Sequence, residues 1–195
     1  MRTFILLALK VPTTEKLIDV SRTEVGVVYR TLLNAFHYSK GIRNDTIVHI
    51  ICNGPKDPPR LITFDGSKLE KLPLMEEELV ALLKEVIKKG ENLISGDEKE
   101  VFRGISIAKK SFEALIKSCE SPLYYLHKKG DDIRKSNIKE NMTFILGDLF
   151  GIPKKTEKFI ARYNTTPLSI GPTMLLASQC VVVAHNELDR RRREG

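Results

Sequence analysis

The chain has no apolar run approaching the roughly eighteen residues of a membrane-spanning helix. It has little cysteine: Cys52, Cys119 and Cys180 form an odd set without metal-ligand spacing. A disulfide framework and a metal site are therefore not expected, and a reducing cytoplasm fits. There is no Gly-x-Gly-x-x-Gly fingerprint and no Gly-Lys-Ser/Thr phosphate loop, which sets aside nicotinamide dehydrogenases and P-loop ATPases. Internal repeats, low-complexity tracts and credible linkers are also missing. The start, Arg2-Thr3 followed by Phe4 to Leu9, has the flavour of a leader peptide. Lys10, Val11 and Pro12 follow it rather than a small-residue cleavage site, so the segment reads as a buried first strand.

What is present is a chain of 195 residues, 42% of them apolar, enough for one sizeable core. The net charge is +7 and the pI about 9.3. Clustered Lys and Arg gain free energy by displacing counterions from phosphate backbones, so a polyanionic partner is favoured. Basic pairs recur at Lys88-Lys89, Lys109-Lys110, Lys128-Lys129 and Lys154-Lys155, and Arg190 to Arg193 stand near the end. Solvated faces and a solubilising tail explain the same pattern.

Strand-like and helix-like segments alternate. Strands are expected at Phe4–Leu9, Ile47–Cys52, Leu123–Leu126, Met142–Leu146 and Pro167–Ile170. Leu61–Phe64 and Lys68–Leu72 read as a hairpin about Asp65-Gly66. Helices are expected at Glu24–Tyr38, Glu76–Lys89, Ser111–Cys119, Lys154–Tyr163 and from Thr173 to about Arg192, with a loop over Glu91–Glu100. Short apolar strands between helices indicate a single α/β domain with a largely parallel sheet. In the last helix, Met174 to Ala184 is apolar or small at nearly every position. Such a helix must be covered on all sides. A second copy of the chain would do that; a helix wedged inside its own domain would too.

Two strand ends look like ligand loops: Ile145 to Pro153, and Leu168 to Pro172 running into the final helix. Glycines beyond strand ends let backbone amides approach a ligand, although ordinary strand-to-helix turns look the same. The strings LGDLFGIP and LSIGPTMLLASQCVVVAHNELD together resemble the C-terminal signature of the TrmY family of archaeal tRNA pseudouridine N1-methyltransferases, within the SPOUT superfamily. YYLHKKGDDIR, SKGIRNDTIVHIICNGP and FRGIS resemble the family's earlier blocks in the same order, so the likeness spans nearly the whole chain. Leu149 follows Asp148 where many relatives carry His.

The resemblance implies a SPOUT α/β knot: an N-terminal α/β part over about 1–120 and a deep trefoil knot in the cofactor-binding part, about 121–195. It further implies S-adenosyl-L-methionine (SAM) as methyl donor, no metal, a homodimer across the last helix, and tRNA as partner with methylation at N1 of pseudouridine 54. The SAM loops it implies lie at Leu126, at Leu146, Gly147 and Gly151, and at Leu168, Ser169, Ile170 and Gly171, with Leu175 and Cys180 lining the cofactor. Ribosomal RNA pseudouridine N1-methylation, ribose 2′-O-methylation and a non-catalytic RNA-binding dimer stand as alternatives.

The reaction needs alignment and the loss of one proton. Asp45 in GIRNDT is the expected proton acceptor and Arg43 the expected holder of phosphate or base oxygens. A turn residue and a surface cation are the plainer readings. Cys180 is read as lining the cofactor rather than as a nucleophile, because deprotonated N1 attacks without covalent help. His37 is read as a helix-end residue, His49 as a strand residue, and His127 beside Lys128 as facing RNA.

Overall fold

The first strand is apolar at most positions on both faces, and it lies in the interior of the sheet. The computed structural model describes residues 1–194, and their side chains as far as Arg192. The side chain of Arg193, expected in the basic tail, lies outside the described residues. In chain order the elements are β1 (Arg2–Ala8), α1 (Thr23–Phe36), β2 (His37–Tyr38), β3 (Gly41–Ile42), β4 (Thr46–Cys52), β5 (Arg60–Asp65) and α2 (Glu76–Lys89). Then come β6 (Glu98–Phe102), β7 (Ile105–Ala108), α3 (Phe112–Lys117), β8 (Leu123–Asp132), β9 (Thr143–Gly147), α4 (Lys154–Ile160), β10 (Thr166–Ser169) and α5 (Ala177–Glu194).

The main sheet has eight strands in the order β10-β8-β9-β1-β4-β5-β7-β6. The half from β10 to β4 is parallel, and β5, β7 and β6 continue it in antiparallel fashion. Both faces are covered, as parallel strands require. Alternate residues of β1 show it: Phe4, Leu6 and Ala8 join the core with Val25, Leu32, Leu83 and Val181 from α1, α2 and α5. Ile5 and Leu7 join Leu115, Ile116 and Ile160 from α3 and α4 on the other face.

Several expected elements take a different form. The hairpin about Asp65-Gly66 does not exist: β5 is paired on one side by β4 and on the other by β7, leaving no edge for residues 68–72. Gly66 instead passes so close to the chain before β4 that a Cβ would stand 2.1 Å from the Arg43 carbonyl oxygen. Part of the expected polar loop is β6, whose Glu98, Lys99 and Glu100 are exposed on the sheet's edge, where charge deters further pairing. The first helix ends at Phe36, and His37–Tyr38 pairs with Gly41–Ile42 in a small ribbon.

The final helix begins at Ala177, not at Thr173, so Pro172 is not its first residue. The reason is a local cap: Leu176 N donates to Gln179 Oε1 at 2.9 Å, and Cys180 N donates to Leu176 O at 2.9 Å. Gly171 to Leu176 is therefore a loop. Nor is α5 apolar all round in its setting. Ala177, Val181, Ala184, His185 and Leu188 are buried at helical spacing, whereas Gln179, Val182 and Asn186 are exposed. The apolar residues left uncovered here are Met174, Leu176 and Val182. Among the described residues, no helix is long and apolar enough to cross a membrane.

Candidate functional site

Beyond the carboxyl ends of the parallel strands lies a cavity of about 480 Å³, within the usual range for small-molecule sites. Three loops build most of its wall. The first is a bulge in β8: β10 pairs with Tyr124 and Tyr125, then resumes at Asp131 and Asp132. The skipped residues Leu126, His127 and Lys128 are thereby turned into the cavity wall. Gly130 closes the bulge against β10, where a Cβ would stand 2.5 Å from Leu168 N.

The second loop follows β9 and supplies Leu146, Gly147, Asp148, Leu149, Gly151 and Ile152. It folds back on itself. Asp148 and Gly151 form an antiparallel bridge, Gly151 has φ +71°, and a Cβ on Gly147 would stand 2.6 Å from the Gly151 carbonyl carbon. Asp148 pins the loop, accepting from Leu9 N at 2.7 Å and from Phe150 N at 2.8 Å. Burial raises its carboxyl above the usual range, partly offset by those two amides and by Lys10. Asp148→Ala removes both anchors and is expected to weaken SAM binding roughly tenfold, about 1.4 kcal/mol, as isothermal titration would show.

The third loop, from β10 into α5, gives Ser169, Ile170, Gly171 and Leu175, with Cys180 from the helix. Ser169 Oγ donates to Gly171 O at 3.0 Å and steadies the turn. Burial pushes the Cys180 thiol up to about 11, and it donates to Leu175 O at 3.7 Å. It is protonated at neutral pH, a poor nucleophile.

Nine of the ten residues expected at the cofactor thus lie in one wall; Leu168 is fully buried in the core behind it. Sequence reasoning missed Tyr125, Glu157, Val27 and Arg30. Tyr125 donates to Glu157 at 2.8 Å, joining β8 to α4. Nothing in the local pattern of α1 marks Val27 or Arg30, because only the tertiary fold carries them there.

Asp45 and Arg43 are elsewhere. Parallel β1 pairs Arg2 with Thr46 at one end and Leu7 with Gly147 at the other. At about 3.3 Å per residue, Asp45 is roughly 20 Å from the level of Gly147 along the strands. Arg2, 1% exposed, stands with Nε 3.2 Å from Asp45 Oδ2, an ion-pair contact without hydrogen-bond alignment. Its other nitrogens meet Asp189 at 2.6 Å and His185 Nδ1 at 3.0 Å. Arg43 holds Asp189 with two contacts, at 2.7 and 3.3 Å, and Arg192 meets Asp45 at 2.7 Å. Burial, with Arg43 and Arg2 beside it, pushes His185 down to about 3, so its ring is neutral. The cluster ties the start of β1 to the far half of α5. Within one chain the cluster is out of hydrogen-bond reach of the cavity, so the fold of a single chain does not bring Asp45 and Arg43 together with the residues expected at the cofactor.

Comparison with known proteins agrees with the fold. Residues 1–193 match the family described as "Putative SAM-dependent RNA methyltransferase". A "Putative pseudouridine methyltransferase" of Vibrio atlanticus is 36% identical, over 98% of this chain and 99% of its own length. A "tRNA (pseudouridine(54)-N(1))-methyltransferase" of Methanococcus aeolicus is 35% identical, over 87% of this chain and 86% of its own. In structure, Archaeoglobus fulgidus Nep1 bound to S-adenosylhomocysteine superimposes with a TM-score of 0.62 at 12% identity, covering 98% of both chains. The chain belongs to the family of SAM-dependent RNA methyltransferases.

Proposed function

We propose that this protein transfers a methyl group from SAM to N1 of pseudouridine in tRNA, at position 54 of the T-loop. The observation that carries the reading is the convergence of three loops on one cavity at the strand ends, in a chain whose relatives include a named pseudouridine(54) N1-methyltransferase. The cavity suits SAM: Leu126, Leu146, Ile152, Ile170 and Leu175 offer apolar walls, and the loops at Gly147 and Gly171 offer backbone amides and carbonyls. SAM supplies an electrophilic methyl group. The protein's part is to hold that group in line with N1 and to exclude competing water.

The same reading includes the knotted arrangement of residues 121–195 and a homodimer. Support for the dimer comes from apolar side chains that the chain itself leaves open: Leu149 at 46%, Phe150 at 55%, Met174 at 75% and Val182 at 46% exposure. A second copy over the mouth of the cavity would bury them. A dimer is also the arrangement in which Asp45 and Arg43 of one chain could approach the cavity of another. Sedimentation at micromolar concentration is expected to give a species of twice the 22.1 kDa chain mass; a clean monomer would remove this part of the reading.

The test of the activity is methyl transfer from labelled SAM to tRNA transcripts. Label is expected in a transcript carrying pseudouridine at position 54 and not in one carrying uridine there. Equal labelling of both would point to ribose or to another position.

A further inference from the structure

Arg30 stands in the cavity wall. It is half-buried on α1, and among the described residues its guanidinium has no hydrogen bond and no carboxylate within ion-pair distance. Helical side chains lean toward the N-terminus, over the residues three and four positions back. Here those are Val27, also in the wall, and Gly26. The head of Arg30 lies against Gly26: a methyl group there would be 3.0 Å from Arg30 Nη1, with Glu76 Oε1 3.4 Å from the same point. Glycine weakens a helix interior relative to alanine, and a seat for the guanidinium accounts for its presence. One turn on, Asn34 donates to Ser178 O at 3.4 Å, which ties this face of α1 to the start of α5.

The carboxylates of the cavity wall are already engaged. Asp148 accepts from two backbone amides and Glu157 from the Tyr125 hydroxyl. His127 and Lys128 come from the β8 bulge, and Cys180 is held as a thiol. Among the described residues of the wall, His127 accepts from Lys129 N at 3.2 Å through Nδ1, and Arg30 stands with its guanidinium outside any hydrogen bond or ion pair.

Resting on the methyltransferase reading above, we propose that Arg30 binds a carbonyl oxygen of the target uracil ring and stabilises the negative charge that develops as N1 is deprotonated. The N1–H bond breaks and its proton passes to solvent water. The pair left on N1 forms the bond to the methyl carbon, and the methyl–sulfur pair departs with sulfur. The ring oxygens share the charge of the deprotonated base, so a guanidinium at an oxygen makes N1 more acidic.

Arg30→Ala and Arg30→Lys test this in the full-length protein, with folding checked by circular dichroism. SAM and S-adenosylhomocysteine are expected to bind within about twofold of wild type by calorimetry. The single-turnover rate at neutral pH should fall about 10²–10³-fold in Arg30→Ala, its rising pH limb moving upward by a unit or more, and Arg30→Lys should recover part of both. Three results overturn the assignment. If S-adenosylhomocysteine loses affinity while 5′-methylthioadenosine, which lacks the carboxylate, keeps it, Arg30 holds the cofactor. If only the KM for tRNA rises, with rate and pH profile unchanged, Arg30 is a backbone phosphate contact. Wild-type rates would leave it without a role in the step. If instead wild-type protein binds SAM yet leaves pseudouridine unmodified, the methyltransferase reading fails, and Arg30 has no uracil to meet.

Discussion

Gly147→Val is expected to abolish measurable SAM binding while leaving far-UV circular dichroism and oligomeric state unchanged. The reason is local and steric. The loop after β9 returns on itself so closely that a Cβ at residue 147 would lie 2.6 Å from the carbonyl carbon and 2.8 Å from the Cα of Gly151, and 2.9 Å from Ile152 N. All three atoms are backbone, so nothing can rotate aside; the loop itself must open. Opening it displaces Gly151 and Ile152 from the cavity wall and breaks the Asp148–Gly151 bridge. Affinity is expected to fall by ~100-fold or more, about 2.7 kcal/mol. Ser169→Trp, which fills the cavity from the other loop, should act the same way, and wild-type affinity in both variants would move the cofactor elsewhere.

The second large effect is on stability, not chemistry. Asp45→Asn combined with Asp189→Asn leaves the buried Arg2 guanidinium facing no anion. Removing one partner of a fully buried pair costs about 3–5 kcal/mol. Because Asp45 is 23% and Asp189 40% exposed, solvent screening reduces the expected loss to about 2–4 kcal/mol. The melting temperature should drop by roughly 5–12 °C. The pH dependence has a definite sign. Burial raises both carboxyls, but Arg2 and Arg192 beside Asp45, and Arg43 and Arg2 beside Asp189, outweigh it and hold both below the ordinary value. Depressed carboxylates contribute stability above their unfolded pKa, near 4, and lose it as pH falls through the folded one. The gap between wild type and double variant should therefore be full at pH 7 and close below pH 4. Asp45→Asn alone should leave the rate per folded enzyme nearly unchanged. A strong loss of turnover with an intact fold would instead give Asp45 the proton, delivered across a subunit interface.

The α/β class and most parallel strands were legible because apolar β-rich runs such as RTFILLA and TIVHIIC can only be buried on both faces. The loops that wall the cavity were legible through glycines at strand ends. What misled was local reading of nonlocal choices. Asp65-Gly66 is a hairpin signal, yet β5 found its second partner far along the chain, in β7, where Phe64 pairs with Ile105. Met174 to Leu176 continues an apolar run into α5, yet Gln179 caps the helix behind it. Asp45 and Arg43 sit just before an apolar strand, which fits a catalytic loop in sequence. Only the pairing of β1 with β4 and β9 shows that they lie at the end of the sheet away from the cavity. Arg30 carried no signal, since a lone arginine in an amphipathic helix reads as its solvated side.

The most direct measurement is mass spectrometry of nucleosides from tRNA incubated with the protein and methyl-labelled SAM. N1-methylpseudouridine carrying the label, arising from position 54 and absent with Gly147→Val, is the expected result. Label in a 2′-O-methylated ribose, or in no nucleoside although the wild-type protein binds SAM, would contradict it.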